Sequence, residues 1–187
     1  MKAGKFVIAA MSLCILTAMA DNRAEKRGAA ELAALVPKAL PSDVASPETI
    51  VEAVHRSISG PASSHFDFNR FRSLFLPNGN VGHAGVENRG EPPQIMYKAV
   101  TEWVAENQEA RNPIELSENI ISMRVSHFGN IASVFYTHDV NVNSRGKIIS
   151  YRTTNIAQLV YDGTRWWVAS LVWNVSPDPD ALPAGMG

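Results

Sequence analysis

The spacing of apolar residues along this chain changes period near its middle. From Ser46, the residues Ile50, Val51, Val54 and Ile58 recur at helical spacing. Ser46-Pro47-Glu48 ahead of them offers a hydroxyl N-cap, a proline at the first helical position and an acid in the first turn, and Gly60-Pro61 ends the run. A second, shorter helix is predicted from Phe68, Phe71, Leu74 and Phe75 behind a capping Asp67, ending at Pro77-Asn78-Gly79. A third follows Pro92-Pro93, where Ile95, Met96, Ala99, Val100, Trp103 and Val104 fall on one face of an amphipathic helix. Between the second and third, the Gly-rich stretch GNVGHAGVENRG at 79–90 reads as a hairpin, or as a loop over an opening; its glycines do not follow phosphate-loop spacing.

The C-terminal half alternates with period two. Ile121, Met123 and Val125, then Ala132, Val134, Tyr136, His138 and Val140, share a mostly apolar face across a hairpin closed near His127–Asn130, with Ser122, Arg124, Ser133, Thr137 and Asp139 on the other. Two more strands, about 148–161 and 166–175, are joined through Asp162-Gly163. Helices followed by an antiparallel meander predict an α+β fold with the helices on one sheet face. The last strand is apolar on both faces: Trp166, Val168, Ser170 and Val172 alternate with Trp167, Ala169, Leu171 and Trp173. Such a strand needs two covers. One is the helix layer, and the other is a second subunit or the proline-containing tail at 177–187 folded over it.

This pattern resembles the nuclear transport factor 2-like superfamily, particularly its SnoaL-like and ketosteroid isomerase-like exported bacterial members. The likeness covers about 46–175 and rests on DFNRFRSLFLPNG at 67–79, FGNIASVFYTHDV at 128–140 and NIAQLVYDGTRWWVASLVW at 155–173. It implies a cone-shaped α+β barrel, three N-terminal helices packed on a curved antiparallel sheet around an apolar cavity, commonly in dimers. It also implies that active members place a few polar groups inside the cavity: a Tyr with two acids in ketosteroid isomerases, a Tyr with two His in scytalone dehydratase, an Asp-Arg-Asp set in limonene epoxide hydrolase.

At 187 residues and 45% hydrophobic, the chain suits one domain, placed at 46–176, and its formal net charge of −1 offers no basic field for nucleic acid. Residues 21–45 read as a mobile leader with a helical turn around Ala29–Leu35. Lys2 and Lys5, an apolar run from Phe6 to Leu16 and Ala18-Met19-Ala20 have the three-part form of a signal peptide at 1–20. That run is shorter than the about 20 apolar residues a span requires, so export to the periplasm or medium is expected, with no membrane association after cleavage. Cleavage removes the single cysteine, Cys14, and with it any thiol chemistry.

Candidate chemistry lies with polar residues on inward faces. Tyr136 and His138 share the apolar face of their strand, where His138 can serve as base and Tyr136 as donor to a developing oxyanion. The same pair, hydrogen-bonded to backbone, also suits a purely structural role. By parity they are loosely similar to the Tyr-with-His set, with no second inward histidine. Tyr97 and Trp103 are placed at the mouth and wall of a small-molecule site. Asn155 and Gln158 lie on opposite strand faces, so at most one meets the ligand. His65 flanks the second helix. His83, His127 and His138 show neither an i, i+4 helical pair nor a third ligand at a telling spacing, so no metal and no cofactor are expected. The partners expected are a small apolar ligand and a second copy of the chain through the sheet face. Three functions fit: a binding domain without catalysis, a proton-transfer isomerase, dehydratase or cyclase, or a structural module whose cavity is filled by its own side chains.

Overall fold

In the computed structural model, which describes residues 26–62, 66–85, 92–109, 114–144 and 146–175, the first long helix forms where its cap places it. After a short α1 (Ala29–Ala33) and a 3₁₀ turn at Pro41–Asp43, α2 runs Pro47–Ile58. Ser46 Oγ accepts from the Thr49 amide at 3.2 Å, and Thr49 Oγ1 accepts from the Ser46 amide at 3.0 Å, so two otherwise orphaned donors are satisfied. The buried face of α2 carries Ile50, Val51 and Val54, and also His55. Asp67 caps α3 (Phe68–Leu74) as expected, its Oδ1 accepting from the Arg70 amide at 2.8 Å.

Six strands follow: β1 (Phe75–Gly85), β2 (Gln94–Ala99), then, after α4 (Val100–Glu109), β3 (Ile114–Phe128), β4 (Ile131–Ser144), β5 (Lys147–Tyr161) and β6 (Trp166–Val175). They form one open sheet in the order β2-β1-β6-β5-β4-β3. The predicted meander accounts for β3 to β6; the β1–β2 hairpin joins β6 through a parallel pairing, so the sheet is mixed. The core lies between its inner face and the helices, and includes Ile50, Phe71, Leu74, Val134, Tyr136, Leu159 and Val168. The fold is therefore α+β and cone-like. Among the described residues no helix is long and apolar enough to cross a membrane.

Three expectations change. The third predicted helix is half strand: residues 94–99 pair antiparallel with β1, leaving Ile95 and Tyr97 exposed, and helix begins only at Val100. The Gly-rich arm supplied an edge whose amide and carbonyl groups needed partners, and that tertiary demand overrode the local helical pattern.

Second, two β-bulges reverse side-chain parity. One lies between Ile120 and Ser122 on β3, leaving Ile121 exposed; the other lies opposite Gln158 and Leu159, where Val168 pairs with Leu159 but Ser170 with Gln158. Trp166, Val168, Leu171 and Trp173 consequently face inward, although a regular strand would split them between faces. Trp167 stays on the other face and is fully buried there, its indole donating to Asp162 Oδ2 at 2.6 Å and the Arg165 guanidinium lying 3.8 Å over its ring.

Third, the end of the leader belongs to the domain. Asp43, 2% exposed, accepts a two-pronged pair of hydrogen bonds from Arg70 Nε and Nη2 at 2.7 and 2.8 Å, and the Val44 carbonyl accepts from the Trp166 amide at 3.1 Å. The signal segment, residues 21–25, His65 and the tail at 177–187 lie outside the described residues.

Candidate functional site

Between α2, the helix layer and the inner sheet face lies a cavity of about 210 Å³. Much of its wall is apolar: Val54, Phe71 and Trp103 from the helices, Val81, Leu171 and Trp173 from the sheet. Trp103 stacks on Phe71 with ring centroids 4.9 Å apart, so one aromatic pair closes the helix side. The polar residues concentrate on β3, β4, β5 and the last turns of α2, and their alignment follows from register. Tyr136 and His138 alternate on the inner face of β4, Thr153 and Asn155 do so on β5, and Asn155 pairs directly with Tyr136. Glu118 reaches the same wall from β3, ahead of the bulge, and His55 comes down from α2.

These groups form one connected cluster. His55 Nδ1 lies 2.7 Å from Glu118 Oε2, and His55 Nε2 lies 2.8 Å from the Tyr136 hydroxyl. His138 Nε2 is 3.6 Å from Glu118 Oε1, too long for a hydrogen bond but close enough for strong attraction when the ring is charged. The Asn155 amide donates to His138 Nδ1 at 2.9 Å, and the two imidazoles lie with ring centroids 4.3 Å apart. An ionised carboxylate only accepts, so with Glu118 charged and His55 neutral, His55 carries its proton on Nδ1 and the Tyr136 hydroxyl donates to Nε2.

Electrostatics follow from burial and these partners. Burial works to raise the Glu118 pKa, but the imidazoles of His138 and His55 outweigh it and hold it down to about 2. Burial pushes His138 below the usual histidine range, against the raising effect of Glu118. Burial and then the Glu118 charge push the Tyr136 hydroxyl well above its ordinary value. The arrangement therefore keeps a fixed negative charge between two histidines under an apolar cavity.

The sequence-derived candidates divide. His138, Asn155 and Trp103 line the cavity. Tyr136 is fully buried behind His55 and is not among the lining residues, so its hydroxyl orients His55 instead of meeting an oxyanion. Gln158 is exposed on the outer face, where it donates to Ser133 Oγ at 3.1 Å. Tyr97 is 60% exposed and lies over Gly82, where an added Cβ would come within 2.7 Å of its ring. Strand pairing at β2 turned it away from the cavity. His55 and Glu118 were missed. His55 sits at i+4 from Val51 on the apolar stripe of α2, and Glu118 continues the alternation of Ile114 and Leu116, which were the available signals.

No protein-family model matches the chain, and no curated relative matches its sequence. Solved structures do match in shape. An NTF2-like protein from Pseudomonas putida superposes with TM-score 0.52 at 10% identity, over 73% of this chain and 91% of that one. The fold is NTF2-like. A Catenulispora acidiphila protein solved in complex with S-DNPA shares this NTF2-like fold at TM-score 0.51 and 14% identity, over 70% of this chain and 91% of that one. So does a Novosphingobium aromaticivorans protein proposed to be an aromatic ring hydroxylase, at TM-score 0.53 and 10% identity, over 70% and 87%. At these identities the likeness concerns the NTF2-like fold alone.

Proposed function

We propose that this NTF2-like domain binds a compact, largely apolar molecule carrying one polar group directed at His138 and Glu118. The observation that supports it is the cavity itself, with aromatic and aliphatic walls and polar side chains converging on one side, the usual form of a small-molecule site. An apolar cavity of about 150 Å³ holds benzene, so about 210 Å³ suits one or two fused rings. A second reading, proton transfer as in an isomerase, dehydratase or cyclase, is favoured by the chain of hydrogen bonds from Tyr136 through His55 to Glu118, with His138 close to the same carboxylate, which can hold a proton at more than one atom. In that reading His138 faces the substrate while Tyr136 and Glu118 act as positioning residues.

Native mass spectrometry of the purified protein for a co-purifying small molecule is the first test, with quenching of tryptophan fluorescence by 2-naphthol as the second. Trp103 and Trp173 line the cavity, so saturable quenching that weakens in His138→Ala is expected. Absence of both a co-purifying mass and saturable quenching would overturn the reading.

The reading includes export of the chain to the periplasm or medium and assembly as a two-fold dimer. On the outer sheet face Tyr97, Val172 and Ile156, 60%, 37% and 42% exposed, form a row across neighbouring strands, linked through Gly82. An isologous contact would bury this row against itself. Sedimentation should show a dimer at micromolar concentration and a monomer for Val172→Glu; a monomeric wild type would reject the assembly.

A further inference from the structure

We infer that His55, Glu118 and His138 form a binding site for a divalent first-row transition ion, with Zn²⁺ as its simplest occupant, whose open side faces the cavity. The potential ligand atoms of these three residues all lie within 4.8 Å of one another. They come from three elements, α2, β3 and β4, so no spacing along the chain announces them. An ion held at about 2.1 Å by each of three donors requires them to stand about 3 to 3.4 Å apart. His55 Nδ1 lies 2.7 Å from Glu118 Oε2 and His138 Nε2 lies 3.6 Å from Glu118 Oε1, on different carboxylate oxygens, and the set spans up to 4.8 Å, so the side chains must close by about 1.4 Å at most to reach that spacing.

Two further features distinguish this set from a simple hydrogen-bonded group. Each imidazole has a polar partner on the nitrogen remote from the ion: the Tyr136 hydroxyl on His55 Nε2, and Asn155 on His138 Nδ1. Metal-ligating histidines almost always carry such a partner, which fixes ring orientation and tautomer. In addition, two histidines and one carboxylate leave coordination positions free, the composition of reactive rather than structural sites, and all three residues line the cavity where a ligand would enter.

The proton bookkeeping closes without a net change when both rings are neutral. Binding moves the His55 proton from Nδ1 to Nε2, which then donates to the Tyr136 oxygen. In His138 it frees Nε2 and places the proton on Nδ1, where a half-turn of the Asn155 amide presents its oxygen as acceptor. The inference goes beyond the small-molecule reading and does not depend on it.

The test uses tag-free full-length protein stripped with a chelator, then titrated with Zn²⁺ by calorimetry and with Co²⁺ by visible absorption. One saturable site per chain is expected, with the ligand-field bands of a four- or five-coordinate Co²⁺ site carrying nitrogen donors. His138→Ala and Glu118→Gln should each weaken Zn²⁺ binding by more than the about 10- to 100-fold that an outer-shell partner is worth, and Tyr136→Phe should fall within that range. His127→Ala, at an exposed histidine whose Nε2 lies 2.7 Å from the Gly129 carbonyl, should change nothing. The wild-type Co²⁺ spectrum needs no variant to fold. Failure of the folded wild type to bind either ion, binding that survives both His138→Ala and Glu118→Gln, or binding lost in His127→Ala would each overturn the site. Quenching by 2-naphthol in the chelator-stripped protein reads the small-molecule site separately, so the two readings fail independently.

Discussion

Replacing Glu118 with glutamine tests whether a charge is held under the cavity floor. Glutamine keeps the size of the side chain and resembles the protonated acid, so Glu118→Gln is the wild type with this one carboxyl permanently neutral. The folded-state pKa of Glu118 lies near 2, against 4.5 for an unperturbed glutamate. A depressed folded pKa means that folding favours the ionised form, so its contribution is fully present above pH 4.5 and disappears as the pH falls through 2. At about 1.4 kcal/mol per pH unit, that interval is worth on the order of 3 kcal/mol. Urea unfolding at pH 5 should show Glu118→Gln less stable by about this amount, a midpoint lower by roughly 1 to 3 M for a slope of about 1 to 3 kcal/mol/M. Other carboxylates titrate in both proteins and cancel in the difference. The gap should therefore close as the pH is lowered from 4.5 toward 2. A gap that is absent at pH 5, or one of constant size down to pH 2, would refute the reasoning: the first would mean that the imidazoles do not stabilise this charge, the second that the loss is packing and not ionisation.

Asp43→Asn leaves Arg70 without its carboxylate partner and should cost about 3 kcal/mol in urea unfolding, at the low end for breaking a buried pair because Arg70 is partly exposed; an unchanged midpoint would return residues 41–45 to the leader. Leu171→Asp places a carboxylate in the apolar cavity wall and should lower stability by several kcal/mol at every protein concentration, since the defect lies within one subunit; a loss seen only on dilution would place Leu171 at an interface instead. Intact-mass measurement of the exported protein should give a chain beginning at Asp21 and unreactive to thiol reagents, and a full-length mass in that fraction would reject the signal peptide.

What was legible in the sequence was what local chemistry decides. Ser46 and Asp67 cap their helices by reaching three residues along the chain, and such contacts are visible in a string of letters. The Asp162-Gly163 turn was legible for the same reason: Gly163 takes φ 97°, and Asp162 Oδ1 accepts from the Thr164 and Arg165 amides at 2.7 and 2.9 Å. Residues 94–99 were misread because their state depends on an edge offered by β1, which no window of ten residues contains. Plain alternation along β6 groups Leu171 and Trp173 with Trp167, and they part from it because one extra residue in the strand reverses everything after it.

The site compounds both difficulties. His138 and Asn155 were found because β4 and β5 are regular where they pair, so parity held. Glu118 precedes the bulge at Ile121 on β3, and an alternation fixed on Ile121, Met123 and Val125 puts it on the opposite face from the one it occupies. His55 stands among residues chosen for packing, where a histidine in an apolar stripe reads as filler until a partner is known. Its two partners, Glu118 and Tyr136, lie 63 and 81 residues away in sequence. Alternation along the strands therefore shows no second inward histidine, because the second one stands on a helix. Once α2 lies across β3 and β4, the ring of His55 meets a carboxylate on one side and a phenol on the other, and the residue becomes the hinge of the cluster. A polar residue embedded in an otherwise apolar helical stripe is accordingly the feature to pursue first in a chain of this pattern, because burying it without a partner costs more than the packing around it supplies.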